Sequence, residues 1–239
     1  MNPHTGLVGL ARKLVRKLGY DVVHHQDFGL LLKQLEIDLV IDVGANIGQT
    51  HDKFRLAGFR GPIVSFEPHP ACFGQLKDLP DKLGNWSRLN LAVGRQDAEQ
   101  TLYFGPSLDQ TSLLTGVADP GKGSMSIQVR SLESLWPELG FDRYRRVFLK
   151  TDAEGFDFQI LQGAKKYFSR IAGGVMESRP VPEYDTESPM TEVLAYLSAN
   201  GFVVCRVDAD TVLPTTGICP NFNVTYCQRD LLLKLKQSA

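Results

Sequence analysis

An α/β fold with a mostly parallel sheet, covered by helices on both faces, is predicted by three observations. Short apolar runs at Leu39 to Val43, Ile63 to Phe66, Arg146 to Lys150 and Gly173 to Glu177 have the length of buried strands. Helical stretches separate them, and alternation of strand and helix is the signature of parallel pairing. The 239 residues, 43% of them hydrophobic, suffice for one sizeable core.

The elements follow in order. Leu7, Leu10, Ala11, Leu14 and Leu18 share one face of an amphipathic helix, with Arg12, Lys13, Arg16 and Lys17 largely opposite. It reads as a helix on the domain edge, with peripheral attachment to an anionic membrane or a lid over substrate as alternatives. Asp27 to Leu35 forms a second short helix. Helices are expected at Ile47 to Ala57 and Pro70 to Leu79, with a third strand over Ser87 to Val93. Glu99 to Phe104 reads as an edge strand and Gly105 to Ser124, rich in Gly, Ser, Asp and Pro, as a loop suited to substrate contacts. Ile127 to Val129 is a short strand, and a short helix ends near Leu139. A helix follows over Phe156 to Phe168, then one over Thr191 to Ser198. Strands at Phe202 to Val207 and Asn223 to Cys227 close the chain as hairpin-like neighbours. The simplest partition is an N-terminal helical extension, residues 1–38, and one domain, residues 39–239.

Composition narrows the function classes. With 26 basic and 27 acidic residues the net charge is -1, so nothing general points to a nucleic-acid partner. The cysteines, Cys72, Cys205, Cys219 and Cys227, form no Cys-x-x-Cys pair and read as free thiols rather than a bridge or zinc site. No apolar run reaches the roughly 18 residues of a membrane span, and no secretory signal stands out, so a cytoplasmic location is expected. The sequence leaves the oligomeric state open.

The candidate pocket begins at Asp42-Val43-Gly44-Ala45-Asn46-Ile47-Gly48. Gly44 and Gly48 permit a tight strand-to-helix turn and close backbone approach to a ligand. The spacing is not the Gly-x-Gly-x-x-Gly of dinucleotide enzymes. An acid at Asp42 suits the cationic amino group of a methionine moiety and would repel pyrophosphate, which favours S-adenosylmethionine. Glu67, ending the second strand, can accept hydrogen bonds from both ribose hydroxyls. Ala92 is placed to pack against adenine, and Asp97 is a weaker candidate for its exocyclic amine.

A second signature is Lys150-Thr151-Asp152-Ala153-Glu154-Gly155, just beyond a buried strand, where open sheets meet their ligands. If the extended geometry continues, Lys150, Asp152 and Glu154 share a side. Asp152 or Glu154 could accept a proton from an acceptor hydroxyl, bind a divalent metal such as Mg2+, or position the sulfonium and sugar. Glu154 could also simply cap a helix. Proton acceptance and orientation by Asp152 rank above metal ligation, and no adjacent histidine suggests a transition metal. Lys150, Glu177 and Ser112 are candidate substrate contacts. A nicotinamide oxidoreductase and a non-catalytic nucleoside-binding module are the rivals.

These residues resemble the FkbM family of S-adenosylmethionine-dependent methyltransferases. The matching blocks are IDVGANIGQT at Ile41 to Thr50, VSFEPHP at Val64 to Pro70, LNLAVG at Leu89 to Gly94, LKTDAEGFDFQILQGA at Leu149 to Ala164 and GGVMES at Gly173 to Ser178. The resemblance implies a class I methyltransferase sheet: a Rossmann-like three-layer sandwich with seven strands, one antiparallel. It further implies O-methylation of a sugar, glycan or small molecule, with Asp42, Gly44 and Glu67 at the cofactor and Asp152 and Glu154 at the reaction centre. The family often has glutamate where this chain has Asp157.

Overall fold

The structure is a computed structural model that describes residues 28–107, 110–116 and 121–237. The amphipathic helix expected over residues 7–18 lies outside the described residues.

Ten strands and seven α-helices are described: α1 (Phe28–Gln34), β1 (Leu39–Val43), α2 (Gln49–Leu56), β2 (Ile63–Phe66), α3 (Pro70–Asp78), β3 (Trp86–Leu89), β4 (Ala92–Gly94) and β5 (Ala98–Tyr103). β6 (Ser124–Ser131), α4 (Leu132–Glu138), β7 (Val147–Thr151), α5 (Asp157–Gln162), β8 (Ile171–Ser178), α6 (Met190–Ala199), β9 (Phe202–Thr211), β10 (Asn221–Gln228) and α7 (Arg229–Gln237) follow. Seven strands form the main sheet in the order β3-β2-β1-β7-β8-β10-β9. All pair in parallel except β10, which runs antiparallel to both neighbours. This is the seven-stranded, mostly parallel sheet that the resemblance implied. A second sheet, β4-β6-β5, stands beside it.

Strands β1, β2, β7 and β8 are buried on both faces, which explains their unbroken apolar runs. In β1, Leu39, Ile41 and Val43 face one core with Leu135 and Trp136 of α4, Ile160 and Leu161 of α5 and Leu197 of α6. Val40 faces the other, with Leu32 of α1, Phe54 of α2, Leu76 of α3 and Phe148 of β7. Helix α1 thus packs into the same core as the sheet. Leu231, Leu232 and Leu235 of α7, a helix the sequence reading passed over, cover Leu35, Ala172 and Cys227. None of the four cysteines is in a disulfide, and no described helix is long and apolar enough to cross a membrane.

Three expected elements differ. The strand expected over Ser87 to Val93 is broken in two, because Asn90 turns its amide onto the carbonyls of Glu67 and Pro68, at 2.8 and 3.0 Å. The chain then leaves the main sheet and pairs with β6. The helix expected to reach Phe168 stops at Gln162. At Gly163 a Cβ would lie 2.1 Å from the Gly94 carbonyl oxygen, so this glycine seats the helix end against β4. The hairpin of β9 and β10 is longer than its apolar pattern suggests: Asn221 pairs with Thr211, one position beyond the pairing of Phe222 with Ser178 at the end of β8.

Candidate active site

The C-terminal ends of β1, β2 and β7 converge on a cleft lined by Gly44, Asn46, Glu67, Ala92, Asp152 and Glu154, with Val43, Pro68, Val93, Leu102, Thr111, Leu113, Ala153 and Phe156. The turn after β1 is knitted to both neighbouring strands. The amides of Gly44 and Ala45 donate to the Phe66 carbonyl, each at 3.0 Å. Gly44 has φ +73°, and a Cβ there would lie 1.8 Å from the carbonyl oxygen of Asp152, so only glycine fits. Asn46, with φ +48°, donates its amide to Glu67 Oε2 at 2.7 Å. The amide of His69 holds Oε1 at 2.8 Å. Burial pushes the Glu67 carboxyl up, while these two amides pull the other way. A carboxylate has about four acceptor positions, so Glu67 keeps capacity for ligand hydroxyls.

The opposite wall is acidic. Beyond β7 the chain turns instead of staying extended. Asp152 is half exposed and Glu154 takes φ +49°, a left-handed conformation costly for a non-glycine residue. Glu154 is held from three directions. Ser112 Oγ donates to its carbonyl at 2.6 Å, Tyr184 Oη donates to Oε2 at 2.6 Å, and Arg179 Nη2 reaches the same oxygen at 3.2 Å. Burial raises the Glu154 carboxyl to about 7; the Tyr184 hydrogen bond opposes the rise and Asp152 adds to it. Glu177 is pushed up to about 8 by burial, against the pull of Arg179, whose Nη2 lies 2.9 Å from its Oε2. Asp157 is raised to about 6, chiefly by burial. Arg179 also meets Glu183 and Glu187, each at 3.2 Å, and its guanidinium lies over the Tyr184 ring. It is the hub of an acidic cluster.

Of the residues singled out from sequence, Gly44, Asn46, Glu67, Ala92, Asp152 and Glu154 line the cleft, Lys150, Ser112 and Glu177 stand directly against its acidic wall, and Asp42, Gly48 and Asp97 lie elsewhere. Asp42 is fully buried one position before the strand end, bound to Ser65 Oγ at 2.9 Å and to Lys150 Nζ at 3.1 Å. Its carboxylate therefore faces β2 and β7, not a cationic ligand. Lys150 is buried with it but lies 3.7 Å from Asp152 Oδ2, and carboxylate oxygens of Asp152 and Glu154 lie within 4.8 Å of each other, so the three stay together although the chain turns at Glu154. Gly48 starts α2 with φ +95° and packs under Leu76, Leu79 and Trp86. Asp97 braces the start of α4, whose N-cap is Ser131: it accepts from the Ser131 amide and Ser134 Oγ and pairs with Arg130. Those donors outweigh its desolvation and hold it at about 2. Ser112 braces Glu154 from behind. Glu177 sits beside Arg179 and Asn221. Sequence reasoning assigned neither Tyr184 nor Arg179 to the site. Their neighbourhood, Arg179 to Asp185, is a run of prolines and acids with no strand or helix period to mark it.

The cleft can hold a nucleoside by Glu67, bring a cationic donor past Asp152, and take a proton at Glu154. Three solved structures illustrate the likeness of fold. The magnesium protoporphyrin IX methyltransferase of Synechocystis, with bound SAM, has 11% identity and TM-score 0.45, over 84% of this chain and 74% of that one. The precorrin-6y C5,15-methyltransferase of Geobacter metallireducens has 15% identity and TM-score 0.42, covering 87% and 90%. A chain of a fibrillarin/Nop5p complex has 13% identity and TM-score 0.48, covering 84% and 79%. Similarity at this level carries nothing about substrate. No curated protein sequence matches the chain. The family model for the methyltransferase FkbM domain matches residues 42–204, from the buried acid of β1 into β9. The chain belongs to the FkbM family of S-adenosylmethionine-dependent methyltransferases.

Proposed function

We propose that this methyltransferase moves the methyl group of S-adenosylmethionine onto a hydroxyl of a sugar, glycan or other small polyhydroxylated acceptor. The products are a methyl ether and S-adenosylhomocysteine. The observation that carries the reading is Glu154: a carboxylate facing the cleft, braced by Tyr184, Arg179 and Ser112, with proton affinity near neutrality. Such a group suits a proton acceptor working at physiological pH.

The donor sulfonium supplies an activated methyl, so the protein has little covalent work. Glu67 would hold the ribose, Ala92 would pack on the adenine side, and the Gly44 turn would receive the amino-acid part. Asp152 would face the donor's positive charge and orient the acceptor. The acceptor oxygen attacks the methyl carbon in line, the carbon–sulfur bond breaks with its electron pair on sulfur, and the hydroxyl proton passes to Glu154. Beside this wall, Asn221 donates to Glu177 and Asp210, and Asn223 donates to Asp210 at 2.7 Å. Carboxylates and amides side by side suit the hydroxyls of a polyol.

Magnesium is the second reading. Carboxylate oxygens of Asp152, Glu154 and Glu177 lie within 4.8 Å of one another. Arg179 already contacts two of the three, and it supplies the counter-charge a divalent ion would bring. We therefore assign proton acceptance to the carboxylate without a metal. The test is to incubate the protein with S-adenosylmethionine and a panel of saccharides, with EDTA or with magnesium, and to follow S-adenosylhomocysteine and methylated product by mass spectrometry. Methyl ether formation in EDTA is expected. Formation only with magnesium would favour the metal reading, and methylation confined to amines would contradict the hydroxyl assignment.

A further inference from the structure

The strand register places three polar side chains at one level of the sheet. Asp42 of β1 pairs with Ser65 of β2 on one side and Lys150 of β7 on the other. Trp86 Nε1 donates to Ser65 Oγ at 2.9 Å, and Ser65 Oγ donates to Asp42 Oδ2 at 2.9 Å. Asp42 Oδ1 faces Lys150 Nζ at 3.1 Å. The row ends on the cofactor turn: Lys150 Nζ donates to the Gly44 carbonyl at 2.9 Å and lies 3.7 Å from Asp152 Oδ2. All members except Asp152 are buried. A row of partnered polar groups in an otherwise apolar sheet is costly to break and specifies a single arrangement.

We propose that Lys150 is the positioning residue of the cofactor turn. It touches no ligand; it fixes the Gly44 carbonyl and so sets the peptide planes of residues 44–46, whose path the donor's amino-acid part must follow. Three features support this. Gly44 stands at φ +73° with its Cα against the Asp152 carbonyl, and because glycine moves freely between backbone conformations, the direction of its carbonyl is left to outside partners to set. The turn's amides are already tied to Phe66 and Glu67, so its remaining loose group on the β7 side is the carbonyl that Lys150 takes. Asp42 holds the ammonium from below, and with that charge balanced Lys150 does not repel the cationic donor. Buried Lys150 is discouraged from carrying charge by desolvation, but Asp42 and then Asp152 and Asp157 more than reverse this and keep it protonated. The proposal rests on S-adenosylmethionine as donor and not on the acceptor assignment.

A merely structural role, balancing the charge of Asp42, makes a different prediction. The test uses the full chain and calorimetry with S-adenosylmethionine and S-adenosylhomocysteine, alongside thermal unfolding. Lys150→Met leaves Asp42 a buried unpaired charge and lowers both stability and binding. Asp42→Asn with Lys150→Met removes both charges while Ser65 keeps an oxygen acceptor. We expect this double variant to regain most of the lost melting temperature. It should still bind both ligands roughly tenfold more weakly than the parent, because the Gly44 carbonyl has lost its donor. Parental affinity in the double variant, within about twofold, would overturn the proposal and leave Lys150 as a counter-ion. Asp42→Asn alone keeps the lysine and guards against a double variant that does not fold. It should weaken binding less than Lys150→Met does. A larger loss, selective for the cationic donor over the neutral product, would mean that Asp42 contacts the donor and would also overturn the proposal. Failure of the parent to bind either ligand would instead strike the donor reading on which the proposal rests, and would overturn both.

Discussion

At the residue scale the site divides a pair of acids into two roles by their surroundings. Asp152 is half exposed; Glu154 is largely buried, pinned at one oxygen by Tyr184 and Arg179, and raised to about 7. The sequence reading placed Asp152 and Glu154 on one side by carrying alternation past the strand end, and ranked proton acceptance by Asp152 above metal ligation. The left-handed turn at Glu154 could not be read there, and it is this turn that sends Glu154 towards Arg179. Glu154→Gln keeps the shape and removes the proposed base, so turnover should fall about 100-fold or more, with affinity for S-adenosylmethionine nearly parental. Turnover against S-adenosylmethionine affinity for that one variant checks it. The base must be ionised to act, so the rate of the parent should rise with pH through about 7 and level above it. Tyr184→Phe keeps the ring under Gly155 and removes a donor to the ionised form. Its rising limb should therefore move to higher pH, a shift that a pH–rate profile measures directly.

At the element scale the strand ends make the site, and glycine decides how closely they approach. Gly44→Ala would drive a Cβ to 1.8 Å from a backbone oxygen. Gly84, with φ +65°, has nothing within 4 Å of the same added atom. Gly84→Ala should therefore cost only the backbone strain, about 1 kcal/mol, whereas Gly44→Ala should lose donor binding and several degrees more in melting temperature. Parallel thermal unfolding and calorimetry on the two variants measure the difference. The turn and its glycines were legible because a tight bend between a buried strand and a helix needs those residues at that spacing. The Asp42–Lys150 pair was not, since it depends on the register of β1 against β7, which are more than one hundred positions apart in the chain. The break between β3 and β4 was hidden for a similar reason. It depends on where the Asn90 side chain finds its carbonyl partners.

At the scale of the whole molecule, the three-layer arrangement came through in the sequence because strands buried on both faces must be apolar throughout. What the pattern could not show is that the fold encloses a cluster of carboxyls around one arginine. Glu154, Asp157 and Glu177 have proton affinities above those of an unfolded chain, at about 7, 6 and 8. The folded state therefore binds more protons than the unfolded state between the ordinary carboxylate range, about 4.3, and those values. By linkage these groups contribute stability at low pH that is lost as pH rises through that window. The melting temperature should fall between pH 6 and 8, and Glu177→Gln, which cannot ionise, should flatten that fall; a fall as steep in the variant as in the parent would assign it to other groups. The central claim is methyl transfer to oxygen with Glu154 taking the proton. It is tested most directly by supplying S-adenosylmethionine carrying a carbon-13 methyl, with a saccharide panel in EDTA, and locating the label by NMR in the parent and in Glu154→Gln. Proton transfer to Glu154 requires a labelled methyl ether from the parent and almost none from the variant. Label on nitrogen or carbon, or equal labelling by the two proteins, would contradict it.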